Sequence, residues 1–258
     1  MSTEVLTEIE GPVLTITLNR PHVRNAVDLA TCNGVAEALR RLEADRDLRV
    51  GVITGMGTAF CSGVDLKAAE SGDSLAISSF DPGGFAGFVR FPRTKPIVCA
   101  AQGHALAGGL EILLACELAV GAQDAQFGLP EVRIGIMAAA GGTIALGRDY
   151  AFPTIMQMLL TGLPISATDA LRVGILSEVA DVDDVLPRAL HIAHTIAEAA
   201  PQAVATTLQL AKRARAGASE AELQQLNSAL IGHLLKTADA AEGRRAFLEK
   251  RDPVWSGE

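Results

Sequence analysis

No two cysteines of this chain form a Cys-x-x-Cys pair. Cys32, Cys61, Cys99 and Cys116 stand apart, three of them in apolar runs. That spacing excludes a zinc ribbon and a disulfide framework, and it fits buried free thiols in a reducing compartment. The histidine pair His191 and His194 brings no further ligands, so no metal site is expected. Positive charge is also short, with 22 Lys and Arg against 30 Asp and Glu, a net charge of −8 and no basic cluster. Nucleic acid is therefore excluded as the main partner. No apolar run is long and uninterrupted enough to cross a membrane. The richest, "AQGHALAGGLEILLACELAV", is broken by glycines and glutamates. The opening "MSTEVLTEIEGPV" is acidic and lacks an apolar targeting core, so a cytoplasmic location is expected.

What is present is a chain of 258 residues, 49% apolar, enough for one large domain or a domain with an appended subdomain. "VLTITLN" (13–19) alternates branched and polar residues and reads as a strand that Arg20 and Pro21 end. Residues 27–44 carry an apolar helical face at Val27, Ala30, Val35, Leu39 and Leu42. "RVGVITG" (49–55), "PIVCAAQG" (96–103) and "ELAVGA" (117–122) are short apolar strands. Strands alternating with helices predict an α/β fold with largely parallel pairing. A Gly-, Ser- and Asp-rich loop between Lys67 and Pro96 interrupts that rhythm, and a loop of this length is usually functional or mobile. After about Ala189 the pattern becomes helical, with Leu223, Leu226, Leu230 and Leu234 on one face behind a Ser219/Glu222 capping box. That face packs either on its own domain or on another subunit.

Three segments carry residues suited to chemistry. In "TGMGTAFCSGVDLK" (54–67), Gly55 and Gly57 follow a strand, but Phe60 stands where a dinucleotide loop needs its third glycine. Gly63 is the better signal, because it frees the backbone to turn the Val64 amide into a cleft. In "HALAGGLEILLACE" (104–117), Gly108 and Gly109 open a helix and Glu111 enters its buried-looking first turn. A carboxylate there must be paired, solvated or employed. Amides from Val64 and Gly108 together suit one oxygen that gains negative charge. In "QFGLPEVRIGIMAAAGGT" (126–143), Pro130 stiffens the chain just before Glu131. Two glutamates facing one cleft can divide the work of general base and general acid. The bland alternatives are a Glu111 that offsets a helix dipole and a Glu131 paired with Arg133. Spacing alone leaves open whether residues 20 apart in sequence share a cleft.

Together these segments resemble the crotonase family, the enoyl-CoA hydratase/isomerase superfamily. "TLNRPHVRNAV", "AFCSGVDLK", "GHALAGGLEILLACELAV", "AQFGLPEVRIGI" and "LLTGLPISATDALRVGILSEV" follow the family's signatures in order, over essentially the whole chain. The resemblance implies a crotonase-like spiral of ββα turns over 1–190 that binds acyl-CoA and performs catalysis. It implies a C-terminal helical trimerisation subdomain over 191–258, with trimers or hexamers as the assembled form. It assigns the oxyanion amides to Val64 and Gly108 and the two hydratase glutamates to Glu111 and Glu131. Coenzyme A contacts fall on Arg24, Ala26, Cys61, Gly63, Asp65 and Leu66, with Phe247 and Lys250 of the late helix reaching coenzyme A, sometimes across a subunit boundary. No cofactor is implied beyond the coenzyme A of the substrate itself.

"VDLKAAESGD", "FDPGGFAGF" and "FLEKRDPVW" are similar to the family's carnitinyl-CoA dehydratase subgroup. The subgroup's substrate carries a trimethylammonium group, for which Phe80, Phe85, Phe88 and Asp81 are available, whereas Trp and Tyr occur once each. The chain departs from the pattern at "MAAAGG" (137–142), where hydratases often have Pro-Gly-Ala-Gly-Gly. The water-holding amide then falls near Ala139, whose methyl restricts the backbone. Ala107 also replaces the first glycine of the usual triplet. With both glutamates present, reversible hydration of a 2-enoyl-CoA is expected. Double-bond isomerisation or another crotonase reaction is the first alternative. An acyl-CoA-binding protein without catalysis is the second, and a dinucleotide oxidoreductase is a distant third.

Overall fold

A computed structural model describes residues 3–68, 77, 79–81 and 83–258. Residues 69–76, 78 and 82, all within the long loop and including parts of the subgroup-like stretches, lie outside the described residues.

The chain opens with a hairpin, β1 (Val5–Glu10) and β2 (Val13–Leu18), turned at Gly11 with φ +54°. Helix α1 (Leu29–Ala44) starts two residues later than its apolar periodicity suggests. Val27 is held in a bridge to Val64, and Asp28 caps the helix by accepting from the Thr31 amide at 2.8 Å. Strands β3 (Val50–Gly55) and β4 (Ala59–Cys61) follow, then a helical turn at Leu66–Ala68. Next come β5 (Ile97–Ala101), β6 (His104–Leu106) and the short helix α2 (Gly108–Leu114). Strands β7 (Leu118–Ala122) and β8 (Gln126–Gly128) lead to a 3-10 turn at Pro130–Ile134. Helices α3 (Gly142–Asp149) and α4 (Phe152–Thr161), strand β9 (Ile165–Ser166), helix α5 (Ala167–Arg172) and strand β10 (Glu178–Ala180) complete the mixed region. Helices α6 (Val185–Ala197), α7 (Pro201–Arg215), α8 (Glu220–Leu234) and α9 (Ala238–Glu249) end the chain.

Among the described residues the strands form two sheets, in the orders β1-β2-β3-β5-β7-β10 and β4-β6-β8-β9. Beyond the opening hairpin every pairing in the larger sheet is parallel. Successive turns each send one strand to the larger sheet and the next to the smaller, β3 then β4, β5 then β6, β7 then β8. This is the ββα spiral. Both faces of the central strands are covered, and β3 and β5 are buried along their whole length, as parallel strands require. Helix α6 supplies part of that cover with Val185, Ala189, Ala193 and Ala197. It is one continuous helix, so a division at residue 190 falls inside an element packed on the core sheet, and the helices that stand off the core begin at Pro201. All four cysteines are free and buried.

The sequence reading omitted β1, β10 and the whole smaller sheet. Its strands are two or three residues long, too short for a period to be visible. Their placement depends on close backbone contact. A Cβ on Gly109 would overlap the carbonyl oxygen of Cys61, so the start of α2 lies directly on β4. Gly109→Ala is expected to destabilise the fold by about 1–3 kcal/mol, read as a lower midpoint in denaturant unfolding.

Candidate active site

The site begins where residues 24–28 cross residues 61–65. The Val27 amide donates to the Gly63 carbonyl and the Asp65 amide donates to the Val27 carbonyl, both at 2.8 Å. These bonds use the groups on either side of Val64, so alternation along the bridge leaves the Val64 amide facing away from Val27. Arg20 ties the crossing together. Its guanidinium is 2.9 Å from Asp65 Oδ2 and 3.2 Å from Asp28 Oδ2, and it also donates to the Ala26 carbonyl. Burial by itself raises the Asp65 carboxyl, but hydrogen bonds from Arg20 and from the Ala68 and Lys67 amides outweigh it and hold the group below the ordinary range. Asn25, fully buried, accepts from the Arg20 amide and donates to the carbonyls of Met56 and Ala59.

The second backbone segment meets the first at Gly63. With φ +98° it adopts a conformation that side-chain-bearing residues avoid. A Cβ there would sit 2.8 Å from Ala107 Cβ and 3.1 Å from the Gly108 nitrogen. Ala107 itself takes φ 52° and donates to the Gly128 carbonyl at 2.9 Å, fixing the entry to α2. Gly108 is the first residue of that helix, and its amide has no acceptor within the helix.

One turn on, Glu111 is 4% exposed, and Glu131 in the neighbouring 3-10 turn is 8% exposed. The carboxylates differ in their partners. Glu111 Oε1 accepts from the Gly142 amide at 2.8 Å. Burial raises the Glu111 carboxyl, while the Gly142 and Ala140 amides oppose the rise. Glu131 Oε2 is buried with no hydrogen-bond partner. Burial pushes Glu131 up to about 7, its own backbone amide opposes, and the charge of Glu111 adds to the rise. The two buried carboxyl groups are therefore close enough for the charge of one to act on the other. Arg133 does not pair with Glu131, but donates to the Thr161 carbonyl.

Comparison with known proteins identifies the family. Residues 8–258 match the family model described as enoyl-CoA hydratase/isomerase. The chain belongs to the enoyl-CoA hydratase/isomerase family. A carnitinyl-CoA dehydratase from Salmonella paratyphi A is 38% identical over 252 residues, covering 96% of each chain. A solved enoyl-CoA hydratase from Mycobacterium marinum superposes with a TM-score of 0.94 at 38% identity, covering 99% of this chain and 100% of that one. A solved carnitinyl-CoA hydratase from Mycobacterium avium gives a TM-score of 0.78 at 37% identity, with both chains fully covered. These relatives are named as hydratases and dehydratases, and the protein is an enzyme of that hydro-lyase kind.

The other positions expected from the family are distributed unevenly. Arg24 is exposed with φ 55°, and Ala26 is buried beside it. Cys61 is buried, which pushes its thiol up to about 12 and leaves it unreactive. Leu66 is 62% exposed. Phe247, 83% exposed, and Lys250 lie on and just after α9. That helix is held through Asp239, which accepts from the Ser256 amide at 2.7 Å, and by Trp255, which donates to the Glu198 carbonyl at 2.7 Å. Ala139 is exposed, and the amides that reach Glu111 are those of Ala140 and Gly142. Of the loop residues, Phe88 is buried beneath the Arg93 guanidinium, 5.0 Å from its ring centre, and Asp81 is exposed. Among the described residues no group of three or more His, Cys, Asp or Glu is placed to hold a metal ion. No helix there is long and apolar enough to cross a membrane.

Arg20, Asn25 and Gly142 were not found from the sequence. An arginine before a proline at a strand end carries no sign of the two aspartates it will meet. Arg20→Gln leaves Asp28 and Asp65 facing each other without a cation. It is expected to cost about 1.5–3 kcal/mol of stability, and urea unfolding of the variant beside wild type checks this.

Proposed function

We propose that the protein adds water reversibly to a 2-enoyl-CoA thioester. The observation that carries this reading is the pair of buried glutamates, one held by amides and the other with a free buried oxygen. A buried oxygen without a partner is costly unless a ligand or water completes it. In this reading the thioester oxygen accepts from the Val64 and Gly108 amides. Glu111, whose carboxylate the Gly142 and Ala140 amides favour, takes a proton from water as the water oxygen bonds to C3. The C2=C3 electrons move toward the thioester, and the enolate oxygen rests on the two amides. Glu131, which burial keeps partly protonated near pH 7, gives its proton to C2. A proton then returns from Glu111 to Glu131, and elimination runs the same steps backwards. Possession of both carboxylates favours hydration over isomerisation.

Glu111→Gln and Glu131→Gln are each expected to lower turnover by roughly 10²–10⁴-fold while leaving coenzyme A binding in place. Near-normal turnover in both variants overturns the assignment. The pH dependence has a definite sign. Glu131 must carry its proton, so kcat falls as pH rises through about 7, and it falls again on the acid side as Glu111 becomes protonated. A pH–rate profile that keeps rising above pH 8 contradicts these roles.

For the substrate, support for a carnitine-type acyl group comes from the 38% identity to a carnitinyl-CoA dehydratase. Crotonyl-CoA and crotonobetainyl-CoA supplied in parallel, with loss of enoyl thioester absorbance followed, decide it. Fast loss with crotonobetainyl-CoA alone supports the carnitine type, and fast loss with crotonyl-CoA a general hydratase. Silence with both, despite acyl-CoA binding, favours a binding role.

The same reading includes assembly into trimers or hexamers. No residue of α7 or α8 is fully buried in the single chain, and Ile134, Met137, Ile144, Phe152 and Leu160 are all more than half exposed. Apolar surface of that extent suits a partner subunit, and a neighbouring chain would give Phe247 a coenzyme A to contact. Four buried free thiols suit the cytoplasm.

A further inference from the structure

The stretch "FDPGGFAGF" offers several aromatic rings near the acyl end of the site, and their surroundings separate them. Residues 83–88 form a tight turn. Gly83, Gly84 and Gly87 have φ of +115°, +65° and +63°, and Ala86 takes φ 58° although it carries a side chain. The Gly84 amide donates to the Phe80 carbonyl at 2.7 Å, and the Arg90 amide donates to the Gly83 carbonyl at 2.7 Å. Gly87 lies on α1, where a Cβ would come 2.6 Å from the Cys32 carbonyl oxygen. Phe88 is buried under Arg93. The backbone is thus fixed on both sides of Phe85, and Phe85 is itself only 4% exposed.

Its ring lies over Gly108. A Cβ on Gly108 would overlap the ring's Cζ and Cε1 atoms. Gly108 is also the residue whose amide is read as an oxyanion donor. A thioester oxygen hydrogen-bonded there lies about 2.9 Å from the nitrogen, which brings C1 and C2 of the acyl group beside the same residue. A ring in van der Waals contact with Gly108 is then a neighbour of C2. Buried and fixed in this way, it has little freedom to withdraw.

We infer that Phe85 is a specificity-determining wall that rejects acyl groups branched at C2, because its ring already occupies the space beside Gly108 that a C2 methyl group needs. This rests on the enoyl-CoA reading above. The inference concerns one ring and one carbon of the substrate: Phe85 and Phe88 are both buried in the core, but the Phe85 ring lies against Gly108, whereas Phe88 lies under Arg93 and Asp81 is exposed.

The test is a binding comparison that needs no turnover. Dissociation constants for free coenzyme A, butyryl-CoA and 2-methylbutyryl-CoA are measured by calorimetry on wild type, Phe85→Leu and Phe85→Met. Wild type is expected to bind butyryl-CoA at least about tenfold tighter than the branched thioester, a typical discrimination for one methyl or methylene group in an apolar pocket. Both variants should narrow that ratio several-fold by admitting the branched chain, with free coenzyme A bound as in wild type. A ratio unchanged in a variant that still binds free coenzyme A overturns the inference and leaves the enoyl-CoA reading standing. A wild type that binds neither thioester nor free coenzyme A overturns both. A variant that loses free coenzyme A is misfolded, and the other variant then supplies the answer.

Discussion

The site depends on two backbone segments approaching more closely than side chains allow. Gly63 meets Ala107 and Gly108, and Gly109 meets the Cys61 carbonyl. At each point a β-carbon would overlap its neighbour or crowd it. Because the spiral closes this tightly at β4 and α2, Gly63 and Gly108 lie side by side, as the proposed pairing of the Val64 and Gly108 amides requires. Glu111 then follows one turn behind. A looser approach would keep the same residues and separate their functions.

Around that contact the protein accepts buried charge and manages it in two ways. Asp65 and Asp28 share one guanidinium, which ties the two segments that carry them together. Glu111 and Glu131 have no cation between them. The amides of Gly142 and Ala140 support one carboxylate, while the other is held near neutrality by burial. Desolvation acts on both, but Glu111 is supported by two amides from another segment and Glu131 by its own amide alone. That difference suits an acid beside a base, and it arises from which backbone amides are within reach, since the side chains are chemically identical.

The same economy of contact governs the turn at 83–88. That turn holds two buried phenylalanines, Phe88 under Arg93 and Phe85 against Gly108. Helices α7 and α8, in contrast, leave their apolar residues incompletely covered. Exposed apolar residues at Ile134, Met137, Ile144, Phe152 and Leu160 extend that uncovered surface beyond the C-terminal helices.

The sequence by itself determined the fold class and the family. Strands β2, β3, β5 and β7 and helix α1 were legible because each is long enough to show its period and ends at a turn or cap signal. The capping box at Ser219 and Glu222 formed as its residues suggest, since capping is a local interaction. Only the tertiary structure decided that Glu131 faces Glu111 and not Arg133, that Ala140 and Gly142 reach Glu111 where Ala139 does not, and that Arg20 joins two aspartates. The smaller sheet was equally hidden, because strands of two or three residues take their identity from the neighbours they pair with. Local energetics can be read along a chain. Which charges, amides and rings meet across it is set by packing, and packing has no period in the sequence.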